Sequence, residues 1–296
     1  MNNANSSTTP ALISIYLPTH NRLGLLQRAI ESVRQQSHPH WELMVVVDNS
    51  SDGTAAYLES IADPRVKTIV NKVSMGACIS RNLAIANASG EYITGLDDDD
   101  YFLPDRLTDF HENWCRLTSA GVEFGFLYDD AVVLGQDGGQ AMRRFVKVAD
   151  QRRLNGYNCV GSQVFCRRTD IISAGGFSPS MPAWQDWDMW VRLQRLSGKG
   201  INIRKANYVV DESHDHERIS QKPAHVLRYA AEQFLYRNKQ LNAAERASVR
   251  YTLSKYPQVG RSLADCLRIL PIMSSNPLFW EKLERKAADL VTRHGH

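Results

Sequence analysis

Short apolar runs alternate with segments of helical periodicity over roughly the first hundred residues, and this alternation restricts the fold more than any other feature. Strands that alternate with helices form a mainly parallel sheet with helices on both faces. The sequence therefore predicts an α/β fold. The buried strands are predicted at residues 12–17, 41–47, 66–70 and 91–96, and the helices at residues 24–36 and 76–88.

Polar residues follow three of these predicted strands. They occupy residues 18–21 (PTHN), 48–50 (DNS) and 97–100 (DDDD). In open α/β sheets, ligands bind outside the carboxyl ends of the strands. We therefore expect the three clusters to converge on one ligand site.

Four consecutive aspartates, residues 97–100, end the fourth predicted strand. Neighbouring carboxylates repel one another unless water solvates them or a cation neutralises them. Mg²⁺ and Mn²⁺ use such oxygen ligands, and Mg²⁺ typically combines one or two carboxylates with the phosphates of a substrate. A solvated loop is the alternative, but the position of this run at the ligand edge favours a metal site.

Three tryptophans alternate with two aspartates in the segment 184–190 (WQDWDMW). This segment leads into a predicted helix at residues 188–196. Apolar rings around Asp186 would raise its pKa, which suits a base that removes a proton from a hydroxyl. Alternatively, Asp186 or Asp188 caps the helix and the tryptophans belong to the core. We expect a capping or structural role for Asp188.

Several other polar residues allow two interpretations. Asp48 suits either a helix cap or an Asx turn, or a contact to a nucleotide at a helix start. Arg81 suits either a surface ion pair or a contact to a diphosphate. His214 and His216, both flanked by acids, suit either a polar surface loop or a contact to a metal or a phosphate.

The second half of the chain is predicted to contain short strands followed by helices. The strands are expected at residues 124–127, 131–134, 142–146 and 164–167, and helices from residue 223 onward. Residues 221–296 contain 13 lysines and arginines but six aspartates and glutamates. This basic region is either a solvated helical face or a surface that contacts an anionic membrane, the rest of the chain, or a second subunit in a homodimer.

Composition restricts the class of protein further. The formal net charge of +3 is too small to indicate a nucleic-acid partner, and we expect none. The five cysteines include no C-x-x-C pair, which favours the cytoplasm over a disulfide framework. The polar residues 1–10 predict a disordered leader rather than a signal peptide. No apolar run reaches the roughly 18 residues of a membrane span.

These motifs together resemble the inverting glycosyltransferases of family 2, which have the Rossmann-like GT-A fold. The similarity extends from about residue 13 to residue 220. The D-x-D context and the Q-D-W-D segment are specific in combination. The matching segments are ISIYLPTHNR (13–22), VVVDNSSDGT (45–54), MGACISRNLAIANASGEYI (75–93), LDDDDYFLPDRL (96–107) and RRTDIISAGGFSPSMPAWQDWDMWVRL (167–193).

The resemblance implies a role for each matching position. Asp186 falls where the family has its catalytic base. Asp97 and Asp99 match the two acids of D-x-D and would hold Mn²⁺ or Mg²⁺, with Asp99 as a direct ligand. His214 or His216 matches a residue that reaches the diphosphate, and we take His216 as a further metal ligand. The residues expected to contact the nucleotide sugar are Pro18, Thr19, Arg22, Asp48, Arg81, Asp97 and Asp98.

The resemblance also implies a domain organisation. A leader (residues 1–10) precedes a GT-A catalytic domain (11–220). Within that domain, a nucleotide-binding half ends near residue 105 and an acceptor half follows it. A basic helical region (221–296) completes the chain, which makes the expected fold GT-A plus a helical C-terminal region.

Two departures from the family pattern concern specificity. Many relatives have two adjacent acids after the second strand, whereas Val47 precedes Asp48 here. Either the first acid is missing or the loop is one residue short, so the pattern does not define the nucleotide. Gln185 occupies a position where the family more often has glutamate. The expected base, Asp186, is retained, but its neighbour in the sequence differs.

The expected activity is therefore hexosyl transfer with inversion. The donor would be a UDP-, dTDP- or GDP-sugar, and the acceptor a hydroxyl of a glycan or a lipid-linked glycan. The expected context is bacterial surface polysaccharide such as O-antigen or capsule, at the inner face of the cell membrane.

Two other functions are weaker. Nucleotidyl transfer requires a Gly- and Lys/Arg-rich phosphate loop after the first strand, and PTHNRLG is not such a loop. A non-catalytic sugar- or nucleotide-binding module would lose the D-x-D motif or the base, and both are present.

Overall fold

The structure is a computed structural model that describes residues 10–214 and 221–260. Three of the predictions concern residues outside these ranges. They are the leader up to residue 9, the metal ligand His216, and the basic region beyond residue 260.

The described residues contain twelve strands and nine α-helices. The strands are β1 (Ile13–Thr19), β2 (Trp41–Asp48), β3 (Val66–Asn71), β4 (Tyr92–Gly95), β5 (Tyr101–Phe102), β6 (Phe126–Tyr128), β7 (Ala131–Leu134), β8 (Gln140–Arg143), β9 (Val148–Ala149), β10 (Phe165–Arg167), β11 (Gly200–Asn202) and β12 (Tyr208–Asp211). The helices are α1 (Leu23–Arg34), α2 (Thr54–Glu59), α3 (Ala77–Asn87), α4 (Arg106–Ser119), α5 (Gln151–Gly156), α6 (Arg168–Ser173), α7 (Gln185–Ser197), α8 (Ala224–Arg237) and α9 (Ala243–Leu253). A short 3-10 helix follows at Pro257–Val259.

Eight strands form the larger sheet in the order β3-β2-β1-β4-β10-β6-β11-β9. The first four of these strands are mutually parallel, and β6 is parallel to β11. By contrast, β10 is antiparallel to both of its neighbours, and β9 is antiparallel to β11. The predicted α/β fold with a mainly parallel sheet is confirmed.

The side chains of β1 show why helices cover both faces of this sheet. Ile15 and Leu17 point into one apolar layer, which also contains Leu26 of α1 and Phe110 of α4. Tyr16 lies between them in sequence and points into the opposite layer, which also contains residues of α3 and α7. Successive side chains of a strand alternate between faces, so a strand with buried apolar side chains on both faces must be covered on both.

The smaller sheet, in the order β5-β12-β7-β8, was not predicted as a sheet. Its central strand β12 pairs parallel with β7 and antiparallel with β5. Because β5 begins at Tyr101, directly after the four aspartates, this sheet fixes the far end of the acidic run. The run is therefore anchored between the two sheets.

The described part of the basic C-terminal region packs against the rest of the chain. Phe234 of α8 is fully buried, and its ring centroid lies 4.3 Å from that of Trp187 in α7. Arg237 of α8 donates to Asp188 of α7 at 3.0 Å. Of the three contacts considered for this region, residues 221–260 make the one with the rest of the chain.

Across residues 10–214 and 221–260, we find no helix with the length and apolar character needed to cross a membrane.

Candidate active site

Three strands of the larger sheet end at one cleft of about 870 Å³. β1 ends at Thr19, β2 ends at Asp48, and the acidic run starts two residues after β4. The convergence expected from the polar clusters is therefore observed. The cleft is lined by nine of the residues predicted for the site, namely Pro18, Thr19, Arg22, Asp48, Arg81, Asp97, Asp98, Asp99 and Asp186.

Asp98 and Asp99 share the guanidinium of Arg22. Arg22 Nη1 lies 3.1 Å from Asp98 Oδ1 and 2.9 Å from Asp99 Oδ2. Thr19 Oγ1 also donates to Asp98 Oδ2 at 2.8 Å. Burial raises the pKa of Asp98 to about 6 despite the opposing charge of Arg22. Three residues predicted to contact the donor thus contact one another and neutralise part of the acidic run.

His214 lies beside Asp99, with its Nε2 atom 3.4 Å from Asp99 Oδ2. A carboxylate and an imidazole at this separation are both ligands that Mn²⁺ accepts. Within the described residues, no group of three or more His, Cys, Asp or Glu side chains is arranged as a metal site. Asp99 and His214 therefore offer two protein ligands to a metal ion and leave its other coordination positions to ligands from outside the protein.

Asp100 turns away from the rest of the acidic run and joins the smaller sheet. Its carboxylate accepts hydrogen bonds from the Tyr208 hydroxyl at 2.7 Å and from the Asp211 N–H at 3.0 Å. Burial, together with the charges of Asp99 and Asp97, raises the pKa of Asp100 well above its usual range. The four aspartates therefore have different surroundings, although they are identical and consecutive in the sequence.

Arg81 of α3 connects the acidic run to the start of α7. Its Nη2 atom lies 2.8 Å from Asp97 Oδ1, and its Nη1 atom donates to Gln185 Oε1 at 2.8 Å. Gln185 directly precedes Asp186 in the chain. A single guanidinium therefore contacts both Asp97 and the residue next to the candidate base, whereas a direct nucleotide contact by Arg81 remains a prediction.

Asp186 lies in the first turn of α7, and its partly buried side chain faces the cleft. The preceding Trp184 has φ = 59° and ψ = 28°, which turns the chain sharply into the helix. Asn158 Nδ2 donates to Asp186 Oδ2 at 2.8 Å. Removal from water raises the pKa of Asp186 to about 6, although the Trp187 N–H and the charge of Arg81 oppose the rise.

Asp188 does not cap α7. Its buried carboxylate accepts from Arg192 at 2.8 Å and from Arg237 at 3.0 Å. The structural role expected for Asp188 is observed, and capping is not, because Trp184 occupies the N-cap position.

Asp48 organises the loop that leads into α3. Its carboxylate accepts from Asn71 Nδ2 at 3.0 Å and from the Ser74 hydroxyl at 2.8 Å. It also accepts from the N–H groups of Met75 and Gly76, both at 2.8 Å. Burial alone would raise the pKa of Asp48, but these four hydrogen bonds lower it below its usual value. Asp48 is therefore a permanent anion that shapes one wall of the cleft.

Sequence reasoning missed many of the residues that line the cleft, and three of them, Asn158, Gln163 and Tyr256, make or receive hydrogen bonds there. Tyr16 donates from its hydroxyl to Gln163 Oε1 at 2.7 Å, beneath the cleft. Trp184 Nε1 donates to the Tyr256 hydroxyl at 2.9 Å, so the segment after α9 reaches the active-site wall. Asn158 and Gln163 lie in no periodic segment or charged motif, and Tyr256 lies in the predicted helical region without a signal that links it to the cleft.

A mainly parallel α/β sheet with carboxylates at the carboxyl ends of its strands defines the class of fold. Comparison with known proteins gives the family. Residues 14–172 match the family model described as Glycosyl transferase family 2. The chain belongs to this family and is a glycosyltransferase.

Two curated relatives illustrate the range of the family. WcaA of Escherichia coli K12, whose name links it to glycosyl transfer in colanic acid biosynthesis, is 33% identical over 89% of this chain and 93% of its own. A second relative, WfgD of Escherichia coli, is 38% identical over 32% of this chain and 38% of its own. WfgD is named as a β-1,3-glucosyltransferase that uses UDP-Glc and an α-D-GlcNAc-diphosphoundecaprenol acceptor.

Solved structures support the GT-A fold. Staphylococcus aureus TarS in complex with UDP-GlcNAc superposes with a TM-score of 0.64 at 18% identity, over 88% of this chain and 79% of TarS. The mannosyltransferase PcManGT of Pyrobaculum calidifontis, in complex with GDP-Man and Mn²⁺, superposes with a TM-score of 0.59 at 14% identity, over 96% of this chain and 81% of its own. At these identities the similarity is one of fold.

Proposed function

We propose that this glycosyltransferase moves a hexosyl group from a nucleotide-diphosphate sugar to an acceptor hydroxyl, with inversion at the anomeric carbon. The observation that carries the proposal is that Asp186 and the acidic run face the same cleft. A base on one side of a sugar and a diphosphate site on the other is the arrangement that a single in-line displacement requires. The donor and base residues keep the roles given above, whereas His214 joins Asp97 and Asp99 on the metal side in place of His216, which lies outside the described residues.

Asp186 is the base of this reaction. The acceptor oxygen forms a bond to the anomeric carbon while its proton passes to the carboxylate of Asp186. The bond from that carbon to the donor phosphate oxygen breaks, and its electron pair leaves with the nucleoside diphosphate. A pKa of about 6 keeps Asp186 ionised at neutral pH while leaving it a stronger base than an ordinary aspartate.

A divalent cation, Mn²⁺ or Mg²⁺, fits the residues on the diphosphate side. Asp99 and His214 supply an oxygen and a nitrogen next to each other, and Asp97 lies nearby on the same loop. Metals that bind together with substrate phosphates need only one or two protein carboxylates. When bound, the cation would neutralise charge on the departing diphosphate. Arg22 would keep Asp98 and Asp99 oriented toward it.

The names of the relatives support a class of acceptor and a cellular context for this proposal. Their names include colanic acid biosynthesis, teichuronic acid biosynthesis and a diphosphoundecaprenol-linked acceptor. We therefore assign this chain to bacterial surface polysaccharide assembly, with a glycan or lipid-linked glycan acceptor. Such an acceptor would bring the protein to the inner face of the cell membrane.

The test is a donor screen. The chain would be incubated with UDP-glucose, UDP-N-acetylglucosamine, dTDP-glucose and GDP-mannose in the presence of Mn²⁺, and nucleotide release would be followed. We expect slow hydrolysis of one donor class, because water can replace the acceptor hydroxyl. The anomeric configuration of the released sugar, read by proton NMR before mutarotation, should be opposite to that of the donor.

The control is chelation. EDTA should suppress nucleotide release, and added Mn²⁺ should restore it. Absence of release with every donor would contradict the proposed transfer. Release with retained configuration would contradict the single displacement, and release that EDTA does not affect would contradict the metal.

A further inference from the structure

Asn158 lies in a tight turn between α5 and β10 that contacts the candidate base. Its Nδ2 atom donates to Asp186 Oδ2 at 2.8 Å and to the Gly161 carbonyl at 3.1 Å. Its Oδ1 atom accepts from the N–H groups of Val160 and Gly161, both at 3.1 Å. The side chain therefore closes its own turn and reaches the carboxylate at the same time.

The orientation of this amide has a single consistent solution. Two backbone N–H groups point at one end of the amide, so that end must be the oxygen. The nitrogen must then face Asp186 and the Gly161 carbonyl, both of which accept hydrogen bonds. A flipped amide would oppose donor to donor and acceptor to acceptor at all four contacts. The direction of the Asn158–Asp186 hydrogen bond is thus set by the backbone.

The turn is joined to α7 at a second point. Trp190 Nε1 donates to the Gly161 carbonyl at 3.0 Å, one helical turn beyond Asp186. Gly161 has φ = +99°, and a Cβ atom at this position would approach the Phe145 ring to 2.8 Å. The turn is therefore packed on one side and bonded to the helix on the other. The turn that carries Asn158 is therefore linked to α7 at two points, Asp186 and Trp190.

We propose that Asn158 is a positioning residue for the transfer reaction, because it holds Oδ2 of Asp186 as a hydrogen-bond acceptor and leaves Oδ1 to receive the acceptor proton. This inference rests on the proposed function of Asp186 as the base. A donor fixed on Oδ2 disfavours protonation of that oxygen, and it fixes the rotation of the carboxylate in the cleft.

Other groups also act on the Asp186 carboxylate. Arg81 favours its ionised form and Asp97 opposes it. The hydroxyls of Tyr16 and Tyr256 and the thiol of Cys78 lie close enough to respond to its charge, and burial raises the pKa of all three. These five groups, and the Trp187 N–H that also favours the ionised form, remain in place when Asn158 is changed, so a change in the titration of Asp186 can be assigned to Asn158.

The test compares Asn158→Ala and Asn158→Asp with the wild type in the hydrolysis of UDP-glucose, UDP-N-acetylglucosamine, dTDP-glucose and GDP-mannose with Mn²⁺. For the donor that the wild type hydrolyses, Asn158→Ala should lower kcat roughly 10- to 100-fold and leave the donor KM unchanged, because the base is misdirected while the donor site is intact. In Asn158→Asp, two carboxylates face each other, so the acidic limb of the pH–rate profile should move to higher pH.

A second readout does not need activity. The titration of Asp186, followed by carbon NMR of protein labelled at the aspartate carboxyl carbons and assigned with Asp186→Asn, should show a higher pKa in Asn158→Ala than in the wild type. If the wild type hydrolyses no donor, the proposed function fails, while this titration still tests whether Asn158 holds the carboxylate.

Asn155→Ala is the matched control. Asn155 Nδ2 also donates to a carboxylate, that of Glu245 at 3.0 Å, and the side chain is buried but lies outside the cleft. This variant should lose stability and keep kcat and the Asp186 titration. A wild-type kcat in Asn158→Ala, an equal loss of kcat in Asn155→Ala, or an unchanged Asp186 titration in Asn158→Ala would overturn the proposal.

Discussion

At the scale of single residues, the site is built from carboxylates whose charge is controlled by different means. Asp48 is held ionised by four hydrogen bonds, whereas Asp98 is balanced by Arg22. Asp186 has an opposing hydrogen bond and a nearby arginine, yet its pKa remains raised to about 6 because it is withdrawn from water. A protein tolerates such a cost where the chemistry requires a base.

The raised pKa of Asp186 predicts a gain in stability on its removal. The folded protein binds a proton at Asp186 more tightly than the unfolded chain does, so this group destabilises the fold as the pH rises from the usual aspartate value of 3.8 to about 6. A shift of about two units corresponds to an upper limit on the order of 2–3 kcal/mol, which contact with the cleft solvent reduces. Asp186→Asn should therefore be the more stable protein above about pH 7.

Urea unfolding at about pH 7.5 and about pH 4 measures this difference. The stability gain should be present at the higher pH and nearly absent at the lower one. A variant that is less stable than the wild type by the same amount at both pH values would contradict the raised pKa.

At the scale of elements, α7 carries the proposed base, Asp186, and depends on α8 for its support. Trp187 and Trp184 of the α7 start pack on Phe234 of α8, with ring centroids 4.3 and 6.2 Å away. The buried carboxylate of Asp188 adds an ion pair to Arg237 of α8, whose side chain is partly exposed. The segment following the predicted catalytic domain is therefore part of the structure that holds the active site.

Truncation of Phe234 tests this dependence. Phe234→Ala removes a fully buried ring from between two tryptophans and should lower the free energy of unfolding by about 3–5 kcal/mol. The control is Tyr236→Ala in the same helix, where the side chain is 65% exposed and the cost should stay below about 1 kcal/mol. Equal losses in chemical denaturation would show that α8 does not support α7.

The sequence predicted the elements with strong periodicity and missed those that depend on distant partners. The strands β1 to β4 and the helices α1 and α3 have clear apolar patterns, and their positions agree with the predictions. β12 has only four residues, and its partner β7 lies more than 70 residues earlier, so no local pattern reveals the smaller sheet. The start of α7 was predicted three residues late, because Trp184 at its N-cap makes no side-chain capping bond.

At the scale of the whole molecule, the parallel strands and the helices around them bring distant residues to one cleft. Thr19, Asp48 and Asp97 could be grouped from sequence because strand ends share an edge of a parallel sheet. Asp186 could be added only through its unusual tryptophan context and the family resemblance. Asn158 and Tyr256 could not be predicted, because their positions depend on the packing of irregular segments against α7.

The central claim is that Asp186 performs the proton transfer while the acidic run holds the donor diphosphate, and one paired measurement tests it. Donor turnover and metal-dependent binding of the nucleoside diphosphate would be measured on the same samples of wild type and Asp186→Asn. Turnover should fall roughly 10²–10⁴-fold in the variant, with the binding constant unchanged. Normal turnover in Asp186→Asn, or loss of nucleotide binding together with turnover, would contradict the account.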